Sequence, residues 1–264
     1  FEAELQGSKT QSPQFNVPLH GLPIDLVRVN LGKFDVGRRG QNLIGRMADG
    51  RILPYHRRAD IQKGALRDAA PVLVWVDDAI DAFLLHVQGS GRVVLEDGAV
   101  MRVGYAGNNG HGYVSIGRVL IDQGELPSGR AGWRQIRDWI TRNPSKAETL
   151  LARNPRYIFF REISGDGPIG AQGVALTPRR SLAVDRKFIP LGLPIWLDTV
   201  WPGQDERPLR RLMVAQDTGS AIKGPIRGDF FWGYGKDALA EAGRMKSLGQ
   251  YYILLPKSAT APTS

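Results

Sequence analysis

The 264-residue sequence carries 35 Lys and Arg against 26 Asp and Glu, a formal charge of +9, with 42% hydrophobic residues and no Cys. That apolar content fills a sizeable core and excludes a disordered chain, while the missing Cys excludes disulfides, thiolate metal sites and a cysteine nucleophile. The charge suits an anionic partner (nucleic acid, an acidic wall polymer or a membrane surface) or only a solvated basic face, and no Lys/Arg block or aromatic ladder singles out nucleic acid.

The longest apolar runs, Pro71 to Val76 and Tyr251 to Leu255, fall far short of the about 20 residues that span a bilayer. The chain starts at Phe1 without Met, so a signal, an anchor or a further domain is expected to precede it. Gly and Pro are spread along the sequence without a repeat, which points to many short strands joined by tight turns.

In chain order, the first seventy residues are punctuated by Gly and Pro, and the basic stretch Arg38 to Lys63 reads as long loops. Val72 to Val76 and Phe83 to Val87 read as buried strands, and Val93 to Leu95 with Val100 to Val103 flank Asp97-Gly98, a hairpin signal. The period then turns helical. Ile116, Val119 and Leu120 share a face before Gly124, Trp133, Ile136 and Ile140 form a second stripe, and Asn143-Pro144 opens a third helix carrying Ala147, Leu150 and Leu151. Tyr157 to Phe160 reads as a strand, and the Gly-rich joint Gly165 to Gly173 as a domain boundary. Beyond it, strands at Leu182 to Val184, Ile195 to Leu197, Leu212 to Ala215 and Tyr251 to Leu255, with one helix near Ala238 to Met245, suit a small barrel. The tail Ser258 to Ser264 has the composition of a disordered segment.

Four His without ligand-like spacing predict no metal, and no phosphate-binding loop or dinucleotide fingerprint predicts a cofactor. The chemistry concentrates at Asp217-Thr218-Gly219-Ser220-Ala221-Ile222-Lys223-Gly224 and at Asp229 in Gly228-Asp229-Phe230-Phe231-Trp232-Gly233. An apolar strand runs into Asp217, and Ala183-Val184-Asp185 places a third aspartate at another strand end. Asp185 and Asp217 read equally as turn caps that bond backbone N–H groups. Asp229, followed by Phe230, Phe231, Trp232 and Tyr234, is expected against aromatic walls that desolvate it and favour a general acid, with Lys223 pulling the other way if near.

At these residues the sequence resembles the membrane-bound lytic murein transglycosylase A family with its C-terminal three-aspartate domain. The likeness runs through Val87-Gln88-Gly89-Ser90-Gly91, Tyr105-Ala106-Gly107-Asn108-Asn109-Gly110-His111, Ser115 to Asp122, Asn154-Pro155, Ala183-Val184-Asp185 and Asp217 to Asp229. The resemblance implies a mainly β fold with a few helices. It comprises a double-psi β-barrel (1–8 and 165–257), an inserted, second β-barrel-like domain (9–164) forming the other wall of a glycan groove, and the tail 258–264. It also implies cleavage of the bond between N-acetylmuramic acid and N-acetylglucosamine in peptidoglycan with a 1,6-anhydro product. Asp229 would act as acid and then base, with Asp217, Lys223 and Asp185 orienting or tuning it. Gln88, Ser90, Tyr105, Asn108 and His111 are candidate sugar contacts, since amides and hydroxyls suit sugar hydroxyls and an aromatic face suits a pyranose, though His111 reads equally as a satisfied buried histidine.

No cofactor and no nucleic acid is expected. The implied setting is periplasmic, as an outer-membrane lipoprotein held by a lipid anchor that this chain does not include, monomeric, with cell-wall synthesis proteins as possible partners. Ser220 stands where the family commonly has Gly, and the loop from Gly224 to Asp229 is one residue longer than in some relatives. The competing readings are an aspartic protease built on Asp217-Thr218-Gly219 and a non-catalytic peptidoglycan-binding module; the first needs two aspartates sharing a proton, and no second Asp-Thr-Gly exists.

Overall fold

The computed structural model describes residues 2–129, 131–165, 167–219 and 222–257; Ser220 and the tail 258–264, on which two of the expectations above rest, lie outside them. The chain divides into two compact units, Leu5–Ile163 and Phe1–Glu4 with Ser164–Ser264. It is mainly β with six α-helices among the described residues, as the sequence indicates.

The unit Leu5–Ile163 holds β1 (Ala3–Ser8, entered from the other unit), β2 (Val17–His20), β3 (Leu26–Asn30), β4 (Asn42–Ala48), β5 (Arg51–Pro54) and α1 (Arg58–Gln62). Then come β6 (Val72–Val76), α2 (Ala79–Gln88), β7 (Ser90–Leu95), β8 (Val100–Asn108), α3 (Ile116–Asp122), α4 (Trp133–Arg142), α5 (Pro144–Ala152) and β9 (Ile158–Glu162). Six strands form one sheet in the order β2-β6-β1-β7-β8-β9, and β3-β4-β5 form a second. Gly7 and Ser8 pair with Val76 and Trp75, so β1 belongs by its hydrogen bonds to the larger sheet. The three helical stripes meet in one cluster, where Phe83, Ile116, Leu120, Trp139, Ile140 and Leu151 are buried.

Two expectations for this unit fail for physical reasons. Phe83 to Val87 is helix α2 and not a strand. Its apolar run is short enough to fit either element, and the caps decide: Asp78 Oδ1 accepts from the N–H groups of Ile80 (2.6 Å) and Asp81 (3.0 Å), and Gly89, at φ +84°, closes the other end with its N–H on the Leu85 carbonyl. The stretch Arg38 to Lys63 is not long loop but β4, β5 and α1. All four residues of β5 are exposed, so no inward-facing alternation marks it. The hairpin turn is Asp49-Gly50 with φ of +49° and +69°, the turn that an Asp-Gly pair favours.

The second unit holds β10 (Ser181–Val184), β11 (Pro194–Trp201), β12 (Gln204–Asp217), β13 (Gly228–Phe230), α6 (Gly235–Arg244) and β14 (Gln250–Ile253). Its sheet runs β13-β10-β12-β11-β14, with β10 and β12 parallel and the remaining pairs antiparallel. Leu182, Val184, Ile195, Met213, Ala215 and Phe230 face its core. Although β13 and β14 are opposite edges of this order, a Cβ built on Gly228 would collide with the Tyr251 hydroxyl. The two edges therefore meet, and the sheet curls into a nearly closed barrel. Glu2 pairs with Tyr234 and donates its N–H to the Gly233 carbonyl (2.6 Å), which ties the first residues to this unit.

The Asp78 cap also holds Arg137, whose Nη2 lies 2.9 Å from Asp78 Oδ2. Asp78→Ala is expected to lower stability by about 1–2 kcal/mol, read as an earlier urea midpoint by circular dichroism; an unchanged midpoint would show that the cap does not hold α2.

Candidate functional site

The site is organised by the end of β10. Ala183 is the Cα partner of Asp217 on parallel β12 and of Asp229 on antiparallel β13. On the neighbouring positions Leu182, Ala215 and Phe230 are 1%, 0% and 7% exposed and point into the barrel. Successive side chains alternate between faces, so Ala183, Asp217 and Asp229 share the opposite face, and Asp185, two residues past Ala183, continues it. A register shift between Leu182 and Ala183 skips Gln216. The skipped Gln216 is held by its own bonds: its Oε1 accepts from Ser181 Oγ (2.5 Å) and its carbonyl from Gln172 N (3.1 Å).

The three carboxylates have different environments. Asp185 is buried, and its two oxygens accept backbone N–H groups from Lys187 (3.1 Å) and Gly224 (3.0 Å). Those donors, Gly224 foremost, and the charges of Lys223 and Lys187 hold its carboxyl below the ordinary value of 3.8. Asp217 Oδ1 accepts from Ala171 N (3.0 Å) and pins the turn that precedes β10. Asp229, among the described residues, accepts no backbone N–H. Its side chain is 52% exposed and its partner is Arg227, Nε to Oδ1 3.3 Å.

This corrects two expectations about Asp229. The aromatic residues that follow it do not wall it in: Phe230, Phe231 and Trp232 are buried, and Trp232 packs on Phe230 and Trp201 at 4.5 and 5.4 Å, because strand alternation sends Phe230 to the other face. Nor is Lys223 its cation. Lys223 is exposed and acts on Asp185, whereas Arg227 pairs with Asp229. Arg227 was legible by the two-residue period, since it precedes Asp229 by one step on the same face. Tyr251 carried no such signal. It reaches Asp229 only through barrel closure, and burial followed by the charge of Asp229 pushes its phenol up.

The five candidate sugar contacts lie in the other unit. Gln88 ends α2 and Ser90 opens β7, flanking Gly89, and both are half-buried. Tyr105 and Asn108 are brought together on β8, with Asn108 Nδ2 donating to the Tyr105 hydroxyl (2.6 Å) and Asn108 Oδ1 accepting from Gly110 N (2.8 Å). Tyr105 remains 49% exposed and borders a cleft of about 550 Å³ with Leu22, Leu73, Phe160, Arg161 and Glu162. His111 is bound into backbone instead: its Nε2 meets the Tyr55 carbonyl at 2.8 Å, and its own carbonyl accepts from Arg156 Nη1 (3.2 Å). Among the described residues no cluster of three His, Asp or Glu is arranged to hold a metal ion, and no helix is long and apolar enough to cross a membrane.

Comparison with known proteins matches two family models in sequence, the MltA specific insert domain over residues 1–161 and the 3D domain over residues 180–255. The membrane-bound lytic murein transglycosylase A of Escherichia coli K12 is 38% identical over 206 residues, covering 75% of this chain and 55% of that protein. The chain thus spans about half the length of that curated relative. MltA from Neisseria gonorrhoeae has a crystal structure that superimposes with a TM-score of 0.88 at 39% identity, covering 98% of this chain and 72% of that one. Escherichia coli MltA with bound chitohexaose superimposes with a TM-score of 0.75 at 31% identity, covering 99% and 70%.

Since the Asp185 carboxyl is shifted downward, the stability it contributes is complete above the unfolded value and is lost as pH falls through the folded one. Asp185→Asn is therefore expected to lower the urea midpoint at pH 7, with the gap narrowing once pH drops below the ordinary carboxylate value of 3.8. A gap that stays constant down to the acid limit would show that the charge of Asp185 does not anchor the loop.

Proposed function

We propose, because this chain belongs to the membrane-bound lytic murein transglycosylase A family, that it cleaves the β-1,4 bond between N-acetylmuramic acid and N-acetylglucosamine and leaves a 1,6-anhydromuramoyl end. The observation that carries the reading is the difference among the three aspartates. Asp185 and Asp217 spend their oxygens on backbone N–H groups, and Asp229 is left with an exposed ion pair. Such a pair is worth about 0–1 kcal/mol, so a glycan strand can displace it. Covering the carboxylate with a pyranose ring then removes water from it and favours the protonated form.

In this reaction the Asp229 carboxyl gives its proton to the glycosidic oxygen as the bond from that oxygen to C1 breaks. The C6 hydroxyl of the same sugar attacks C1, and the Asp229 carboxylate takes the hydroxyl proton, which restores the acid. Hydrolytic glycosidases use a second carboxylate to attack or to activate water. Here the nucleophile is tethered to the electrophile, and intramolecular reactions reach effective concentrations of about 10⁵–10⁸ M, so one carboxyl suffices. Asp217, Asp185 and Lys223 act as positioning groups for the loop that ends at Asp229. Arg227 holds the carboxylate until substrate arrives.

The insert unit supplies the sugar contacts. The exposed face of Tyr105, fixed by Asn108, suits the apolar side of a pyranose, with Gln88 and Ser90 as hydrogen-bonding groups. His111 holds the Asn108–His111 turn through the Tyr55 carbonyl. We place the protein in the periplasm as part of an outer-membrane lipoprotein, acting as a monomer on peptidoglycan with wall-synthesis proteins as candidate partners.

Digestion of purified sacculi followed by mass spectrometry tests the chemistry. The wild type is expected to release anhydro-muropeptides and no reducing ends, and Asp229→Asn to lose about 10²–10⁴-fold in rate. Release by Asp229→Asn at the wild-type rate would overturn the assignment of Asp229, and reducing ends from the wild type would overturn the water-free reaction.

A further inference from the structure

A second set of titratable groups surrounds a cavity of about 310 Å³ inside the unit Leu5–Ile163, between α1, α2 and β2. At its wall stands Arg58, only 3% exposed. Its Nε and Nη2 donate to the carbonyls of Asn154 (3.2 Å) and Arg156 (2.8 Å), and the guanidinium lies 4.8 Å from the Phe83 ring centroid and 5.1 Å from that of Tyr157. All of these partners are neutral. Among the described residues no carboxylate forms an ion pair with it, and its titratable neighbours are Tyr157 and His86. A buried cation without a counter-ion is costly, and a guanidinium has five N–H donors, more than the two carbonyls use.

The surrounding groups do not supply the missing charge. Burial drives His20 down to about 4 and His86 well below its ordinary value, and it pushes the Tyr157 phenol up. At neutral pH both imidazoles and the phenol are uncharged, so the cavity wall carries the single positive charge of Arg58. His86 Nδ1 accepts from the Ile158 N–H (3.1 Å), which puts the ring proton on Nε2 and makes it a donor as well. The rest of the lining includes small and apolar residues, Ala79, Ala82 and Leu151 among them, and the one carboxylate on the lining is Glu148, which is exposed.

We propose that this cavity is a binding site for a small organic carboxylate, seated on Arg58, with its apolar body against the α2 and α5 side chains. The charge and the donors select an anion, and the apolar lining selects one with a hydrocarbon part. Glu148 repels a second negative charge and so disfavours a dianion such as phosphate. A role for Arg58 confined to bridging the Asn154 and Arg156 carbonyls needs no ligand, and it is the reading to be eliminated. The proposal does not rest on the reaction assigned to Asp229.

The test is a titration of the whole chain, followed through the NMR signals of the His20 and His86 rings, with sodium propionate, its neutral isostere propionamide, and inorganic phosphate. Propionate is expected to shift both rings saturably, phosphate to bind at least about tenfold more weakly, and propionamide to leave the rings unmoved. Arg58→Gln is expected to abolish binding. Since that variant can also fail to fold, Ala79→Trp, which fills the mouth from an exposed position and leaves Arg58 in place, is expected to weaken propionate at least about tenfold with unchanged circular dichroism. Equal shifts with propionamide, no saturable shift with propionate, or full binding by the folded Ala79→Trp variant would each overturn the proposal.

Discussion

The parallel ladder between β10 and β12 loses one residue of register at Gln216, and the placement of the acidic groups follows from that bulge. In an unbroken ladder Gln216 would oppose Ala183, and Asp217 would fall beside Val184, on the face that points into the barrel. A carboxylate there would have to be neutralised or unfold the sheet around it. Skipping one residue flips the side-chain alternation and delivers Asp217 to the face where Asp185 and Asp229 already project. The apolar packing of Leu182, Ala215 and Phe230 and the grouping of the acids are two sides of one alternation. Any change that restores regular pairing therefore costs both core and site.

The three carboxylates at one sheet end are distinguished by unequal partners. Two of them accept backbone N–H groups, Asp185 from two different segments and Asp217 from the turn before β10. This fixes loops that would otherwise be free. Asp229, among the described residues, pairs with a solvent-exposed guanidinium, an interaction weak enough to exchange for a ligand. Identity as aspartate says nothing about this division. It is set by which residues happen to present an unpaired N–H at hydrogen-bonding distance.

The parts of the fold that were legible are those whose signal is local. The Asp97-Gly98 hairpin, the stripes of Ile116, Ile136 and Leu150, and the strand leading into Asp217 all emerge where the sequence places them. Helix α2 was misread because Phe83, Leu84 and Leu85 are buried in succession, a run that fits either element, while its decisive cues, Asp78 and Gly89, sit outside the run. Strands β4 and β5 were not legible because most of their residues are exposed, so no buried-exposed alternation marks them and the Asp49-Gly50 turn is the local signal for the hairpin. In the site, the cluster of aspartates and its position at strand ends could be read, but the surroundings of Asp229 could not. Adjacency to Phe230 suggested burial, whereas the pleat of a strand sends neighbours to opposite sides, and the approach of Tyr251 depends on closure of a sheet over many residues.

The meeting of the Gly228 backbone with the Tyr251 hydroxyl bears on how this protein can diverge. Asp229 is located by its pairing with Ala183, and the residue before it by pairing with Val184 and by the seam where the barrel shuts. A change of length between Gly224 and Gly228 thus leaves that pairing in place but displaces Arg227 and the Gly224 N–H that Asp185 accepts, whereas a side chain at Gly228 has to push the Tyr251 hydroxyl aside. The first kind of change costs the partners of the carboxylates, the second the seam itself.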